Sequence, residues 1–205
     1  MSQSIAIPTT EPKKTEKKAK KGLKFPQPKL LTFKDYERLT PPDSGNYELH
    51  NGKIIYMASP LEQHQIVAFK LTLQLGNHIV AKKLGKLLFA PMDTILTPND
   101  TVQPDLLFIS NERLHIIDKQ VKGAPDFIVE ILSGSNNPKQ MSYKKYLYET
   151  TGVREYWIVN IEKQLVTQYE NREGEFFIHH IAKRDDVLTS LVLDGFQIDV
   201  NDILP

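Results

Sequence analysis

The apolar positions change period along the chain, and each change marks an element. Thr32 precedes the run 33–39, which Pro41-Pro42 stops, so a short capped helix is expected there. Segments 47–49 and 53–57 flank Asn51-Gly52, a pair that favours a type I′ turn, and predict a hairpin. Ser59-Pro60-Leu61-Glu62 reads as a capping box with proline in the first helical position. The helix it opens is expected to run to about Lys83, with Gly85 as its C-terminal cap. Its apolar face is read as Ile66, Phe69, Leu73 and the stretch from Leu75 to Ile79.

Beyond this helix the period shortens. Strands are expected over 86–90, 94–97, 105–109 and 126–132. The last two are rich in Leu, Ile, Val and Phe, as in central strands buried on both faces. A second helix over 139–151 ends at Gly152, and the strand 155–160 holds the single tryptophan, Trp157. Segments 164–170 and 175–181 form a meander joined through Asn171 to Gly174. The order predicts an α/β or α+β domain over residues 30–205, with a mixed sheet and helices against it. No stretch reaches the ~18 apolar residues of a membrane span.

Charge changes the picture at the N-terminus. Residues 1–29 hold eight lysines and two glutamates, a net +6, while residues 30–205 carry −5. Lys13, Lys14, Lys17, Lys18, Lys20 and Lys21 crowd a segment with four prolines. A stretch of this composition buries too little apolar surface to offset chain entropy, so a disordered tail is expected. It reads either as a solvated tail or as a nonspecific phosphate-binding arm. It lacks the apolar run of a secretory signal, and the expected location is cytoplasmic. With no cysteine in the chain, disulfides, thiol nucleophiles and thiolate metal sites are excluded.

Two carboxylates stand out. Asp105 follows Pro104 at the start of one apolar strand, and Glu130 interrupts another, Phe127-Ile128-Val129-Glu130-Ile131-Leu132. An isolated buried charge costs several kcal/mol, on the order of the figures for unpaired ions. Glu130 must therefore be paired with Lys or Arg, be protonated, sit at a solvated strand end facing a cleft, or belong to a metal or catalytic site. Two carboxylates on neighbouring strands are what a hard divalent cation requires.

A longer ordered series adds to these residues. It runs through Tyr47-Glu48-Leu49, Asn51-Gly52-Lys53-Ile54, Met57, Pro60 and His64, then Gln103-Pro104-Asp105 and Pro125-Asp126. It continues with Glu130-Ile131-Leu132-Ser133 and closes with Lys144, Tyr148, Gly152-Val153 and Glu155-Tyr156-Trp157. In this series the chain resembles the Uma-two family of restriction-endonuclease-like proteins, placed in the PD-(D/E)XK nuclease superfamily. The resemblance spans roughly residues 30–205. It implies a mixed central sheet flanked by helices and Mg²⁺-dependent (Mn²⁺ also suitable) cleavage of phosphodiester bonds in DNA. It further implies Asp105 and Glu130 as metal ligands, joined by the backbone carbonyl of Ile131.

The superfamily places a lysine two residues after the second acid, on the same strand face. Here position 132 is leucine. Lys144 is the expected substitute, in a helical register with Tyr148 and Gly152. Gln140 stands where the family pattern has aspartate, and Gly134-Ser135 where it has Pro-Ser. Glu48, His64 and Asp93 are candidate accessory residues, each with a plain alternative: strand-end carboxylate, packing histidine and turn aspartate. The rival to an enzyme is a nuclease-fold module that lost catalysis and binds nucleic acid or a protein partner. A homodimer would suit cutting two strands.

Overall fold

The computed structural model describes residues 29–41, 46–134 and 137–205. Residues 1–28 of the expected disordered tail, with its six crowded lysines, and Ser135 lie outside the described residues. Among the described residues, no helix is long and apolar enough to cross a membrane.

The first elements follow local chemistry. Helix α1 (Phe33–Leu39) starts where Asp35 accepts hydrogen bonds from the amide and hydroxyl of Thr32, at 3.1 and 2.9 Å. Strands β1 (Tyr47–His50) and β2 (Lys53–Tyr56) form the expected hairpin, with Asn51 and Gly52 both at positive φ. Both residues adopt a left-handed backbone, as a type I′ turn requires.

Helix α2 (Glu62–Lys82) departs from expectation three times. The chain stays extended through Leu61, so Ser59 does not cap the helix, and Pro60 lines a cleft instead. At the other end Lys83, with φ 54°, takes the left-handed cap position expected for Gly85. Gly85 opens β3 (Gly85–Phe89), where a Cβ would collide with the Ile109 carbonyl. The buried face is also different: His64, Val67, Leu71, Leu75 and Ile79 point inward, whereas Ile66, Phe69 and Leu73 are exposed.

The main sheet has six strands. They are β3, β6 (Leu106–Ser110), β8 (Phe127–Leu132), β9 (Glu155–Asn160), β10 (Leu165–Arg172) and β11 (Glu175–Lys183). The order is β11-β10-β9-β8-β6-β3, and only the β8–β9 pair is parallel. A parallel pair needs a crossover, which α3 (Pro138–Thr151) supplies before stopping at left-handed Gly152. A second sheet, ordered β2-β1-β5-β4-β7, adds β4 (Thr94–Thr97), β5 (Asp100–Val102) and β7 (Val121–Lys122). The chain ends in the ribbon β12 (Val187–Thr189) and β13 (Gln197–Asp199), followed by α4 (Val200–Ile203). Strands β5, β7, β12 and β13 and helix α4 are too short to leave a readable period, and none was expected.

Strand alternation sorts side chains into two cores. Phe127, Val129 and Ile131 pack with Trp157 and the inner face of α2. Ile128 packs with Leu107, Tyr148 and Tyr156 on the α3 side. Glu130 is two residues from Ile128, and Asp105 two from Leu107, so both acids share the α3 face.

Candidate functional site

The antiparallel register of β6 and β8 pairs Leu106 with Val129. One step beyond that pair, Asp105 and Glu130 face each other across the two strands. Asp105 Oδ2 accepts the Ile131 amide at 2.7 Å. In an extended strand the carbonyl of a residue faces the same side as its amide, so the Ile131 carbonyl also turns toward Asp105.

Lys144 comes from the α3 crossover and is 2% exposed. Its ammonium lies 2.6 Å from Glu130 Oε1 and 3.0 Å from Glu48 Oε1. Position 132, on the same strand face as Glu130, is a half-buried leucine, so no lysine comes from the strand itself. Tyr148, one helical turn further, donates its hydroxyl to Glu130 Oε1 at 2.6 Å. On β1, Glu48 Oε1 also accepts from the Gln103 amide at 2.8 Å, and its Oε2 lies 2.7 Å from His50 Nε2. His64 reaches in from α2, with Nε2 3.2 Å from Asp105 Oδ2 and Nδ1 buried without a hydrogen-bond partner among the described residues.

Electrostatics separates the acids. Burial raises Glu130, as do the Asp105 and Glu48 charges, and together they outweigh Lys144 to bring it to about 7. Burial acts on Glu48 too, but there Lys144, His50 and the Gln103 amide prevail and hold it at about 2. Burial works against the Lys144 ammonium, yet Glu130 and Glu48 keep its pKa above the usual lysine range. For His64, burial is overcome by Asp105 and Glu130, and its pKa is raised.

A cleft of 490 Å³ opens onto these groups. Glu48, Asp105, Glu130, Lys144 and His64 line one end, and Met57, Phe69 and Phe89 are among its apolar walls. Asp93 does not line it. It stands behind, accepting from the Gln103 side chain at 2.9 Å and the Tyr36 hydroxyl at 3.2 Å. The structure thus brings together five of the six carboxylate, lysine and histidine candidates, with the Ile131 backbone beside them, and sets Asp93 behind Gln103.

Sequence reasoning did not single out Tyr148, His50 or Gln103 as partners of the acids. Two of them carried a signal. Tyr148 shares the helical register of Lys144, and His50 lies two residues from Glu48 on the same strand.

Among the described residues, no three carboxylate or imidazole groups converge into a ready cation cage, since Lys144 stands between Glu48 and Glu130. The cleft offers a cation the Asp105 and Glu130 carboxylates. Mg²⁺ retains several waters and is commonly held by one or two carboxylates, so this donor set fits it.

Comparison with known proteins agrees with the fold and the motifs. Among solved structures, the chain is similar to "a putative nuclease belonging to DUF820" from Anabaena variabilis. The TM-score is 0.71 at 16% identity, covering 84% of this chain and 97% of that one. No curated protein matches the chain. The model of the Uma2 family, described as "Putative restriction endonuclease", matches residues 33–201. With its ordered motifs and nuclease-like fold, the chain belongs to the Uma2 family.

Proposed function

We infer that this chain is an endonuclease that hydrolyses DNA phosphodiester bonds with Mg²⁺ or Mn²⁺ held by Asp105, Glu130 and the Ile131 carbonyl. The observation that carries the reading is the Lys144 ammonium, 2.6 Å from Glu130 in a chain with leucine at position 132. It supports a lysine supplied from a helix in place of one on the strand.

Each side chain then has a task. Asp105 and Glu130 bind the cation and are oriented by the Ile131 amide and the Tyr148 hydroxyl. When bound, the cation supplies Lewis acidity and lowers the pKa of its coordinated water. Lys144, charged at neutral pH, offers positive charge to phosphoryl oxygens as negative charge develops on them. Glu48 anchors that ammonium from the opposite side, and His64 orients Asp105. Because the folded part is acidic, the lysine-rich segment would supply accessory, salt-sensitive phosphate contacts.

Leu132 and Gln140 favour a second reading, a nuclease-fold module without catalysis. Calorimetric titration with Mg²⁺ and a DNA cleavage assay separate the two. Asp105→Ala and Glu130→Ala are expected to lose saturable Mg²⁺ binding and cleavage while circular dichroism reports a folded chain. Full cleavage by both variants refutes the enzyme assignment. DNA binding without saturable Mg²⁺ binding or cleavage in the wild type identifies the module.

A further inference from the structure

Helix α2 is apolar on two opposite faces. One is buried against the main sheet. On the other, Phe69 is 68% exposed, Leu73 49% and Val80 76%, with Ile66 at 42%. At 100° per residue, positions 69, 73, 76 and 80 fall in one stripe directly opposite the buried one. A helix that is apolar on both faces is normally covered on both.

The outer stripe is shaped to meet itself. A hollow of 410 Å³ is lined by Phe69, Leu73, Gly76, Val80 and Ala81, and at Gly76 the missing side chain leaves the helix backbone low, with Leu87 of β3 3.8 Å from where a Cβ would stand. Phe69 is a knob and Gly76 a hole on the same helix, seven residues or about 10 Å apart. Two copies of α2 laid antiparallel about a two-fold axis between Thr72 and Leu73 place each Phe69 opposite Gly76 of the other copy. The same pairing sets exposed Glu62 against exposed Lys83 at both ends, so charges as well as shapes are complementary. Ile66, Phe69, Leu73 and Val80 together offer roughly 450 Å² of apolar surface, against about 800 Å² per partner in a standard interface.

We propose that the outer face of α2 is the interface of a symmetric homodimer, in which α2 pairs antiparallel with α2 of a second copy. The stripe is a core that neighbouring exposed side chains extend, since by itself it covers little more than about half the area of a standard interface. Phe69 and Thr72 border both this hollow and the acidic cleft, so the two clefts of a dimer open beside the shared axis. The proposal is independent of the nuclease reading.

Sedimentation velocity over a micromolar concentration series tests it on the full chain. A concentration-dependent monomer–dimer equilibrium is expected. Val80→Lys, at an exposed position outside the acidic cleft, should weaken the dimer at least about tenfold because both copies carry the change, with an unaltered thermal melt. Glu62→Lys should weaken it about threefold, and adding Lys83→Glu should restore it. A wild type that stays monomeric overturns the proposal, as does a dimer indifferent to Val80→Lys. So does a monomer that dimerises only after residues 1–28 are removed, since that segment would then be the natural cover.

Discussion

Replacing Lys144 by methionine separates an ionic role from simple packing, because the side chain stays unbranched and only one atom shorter while losing its charge. Wild-type Lys144 sits between Glu48 and Glu130, both buried. Breaking a buried pair by removing one partner costs about 3–5 kcal/mol when the remaining charge cannot be neutralised. Here it can, because Glu130 is already raised to about 7 by burial and its acidic neighbours. Without the ammonium its pKa rises further. Below about pH 6 Glu130 is protonated in both folded proteins, so the difference between them reflects Glu48 alone, at about 1–2 kcal/mol.

Above pH 7 the two diverge. The folded variant retains a proton that the unfolded chain releases, so its stability keeps falling with pH while that of the wild type levels off. Each pH unit adds about 1.4 kcal/mol, giving a total of about 3–4 kcal/mol near pH 8.5. For a chain of this size the pH-dependent part corresponds to a Tm loss of about 4–8 °C. Thermal melts and urea unfolding in EDTA, at several pH values between 5.5 and 8.5, measure it. A stability loss that does not vary with pH refutes the buried-charge account, as does a variant matching the wild type at the alkaline end. Adding Glu48→Gln should recover the pH-independent part of the loss, about 1–2 kcal/mol, since it removes the carboxylate that Lys144 no longer pairs.

Two other outcomes are expected. Gly85→Ala places a Cβ against the Ile109 backbone carbonyl at φ 158°, and should lower the urea midpoint by the equivalent of roughly 2–4 kcal/mol; an unchanged midpoint would exclude a close β3–β6 approach. If the lysine segment contacts phosphate, deleting residues 1–28 should flatten the salt dependence of DNA binding by about one in log–log slope for each lost lysine contact, and an unchanged slope would assign phosphate binding to the folded part.

Some local signals carried straight through to the structure, although the Ser59-Pro60 capping box and the Gly85 cap did not. Asn51-Gly52 produces the hairpin because few other pairs tolerate two successive positive φ values. Gly152 ends α3 for the same reason. The apolar runs in β6 and β8 could only be inner strands, and that is why a glutamate inside one of them was conspicuous. Lys144 could be picked out by its helical register with Tyr148 and by family resemblance, without knowledge of what it would touch.

Helix α2 shows where local reading stops. Its apolar residues form two stripes, and periodicity cannot say which one meets the sheet. Packing chose Val67, Leu71, Leu75 and Ile79, and left Phe69, Leu73 and Val80 facing out. The site was decided in the same way. Asp105 and Glu130 are 25 positions apart, and only the antiparallel register of β6 and β8 sets them opposite each other. Only the crossover between the parallel strands β8 and β9 carries Lys144 to Glu130. Sequence determined which residues had the chemistry, because residue type and local period are properties of neighbours in the chain. Tertiary structure decided which of them meet, because strand register and helix facing depend on packing between distant segments.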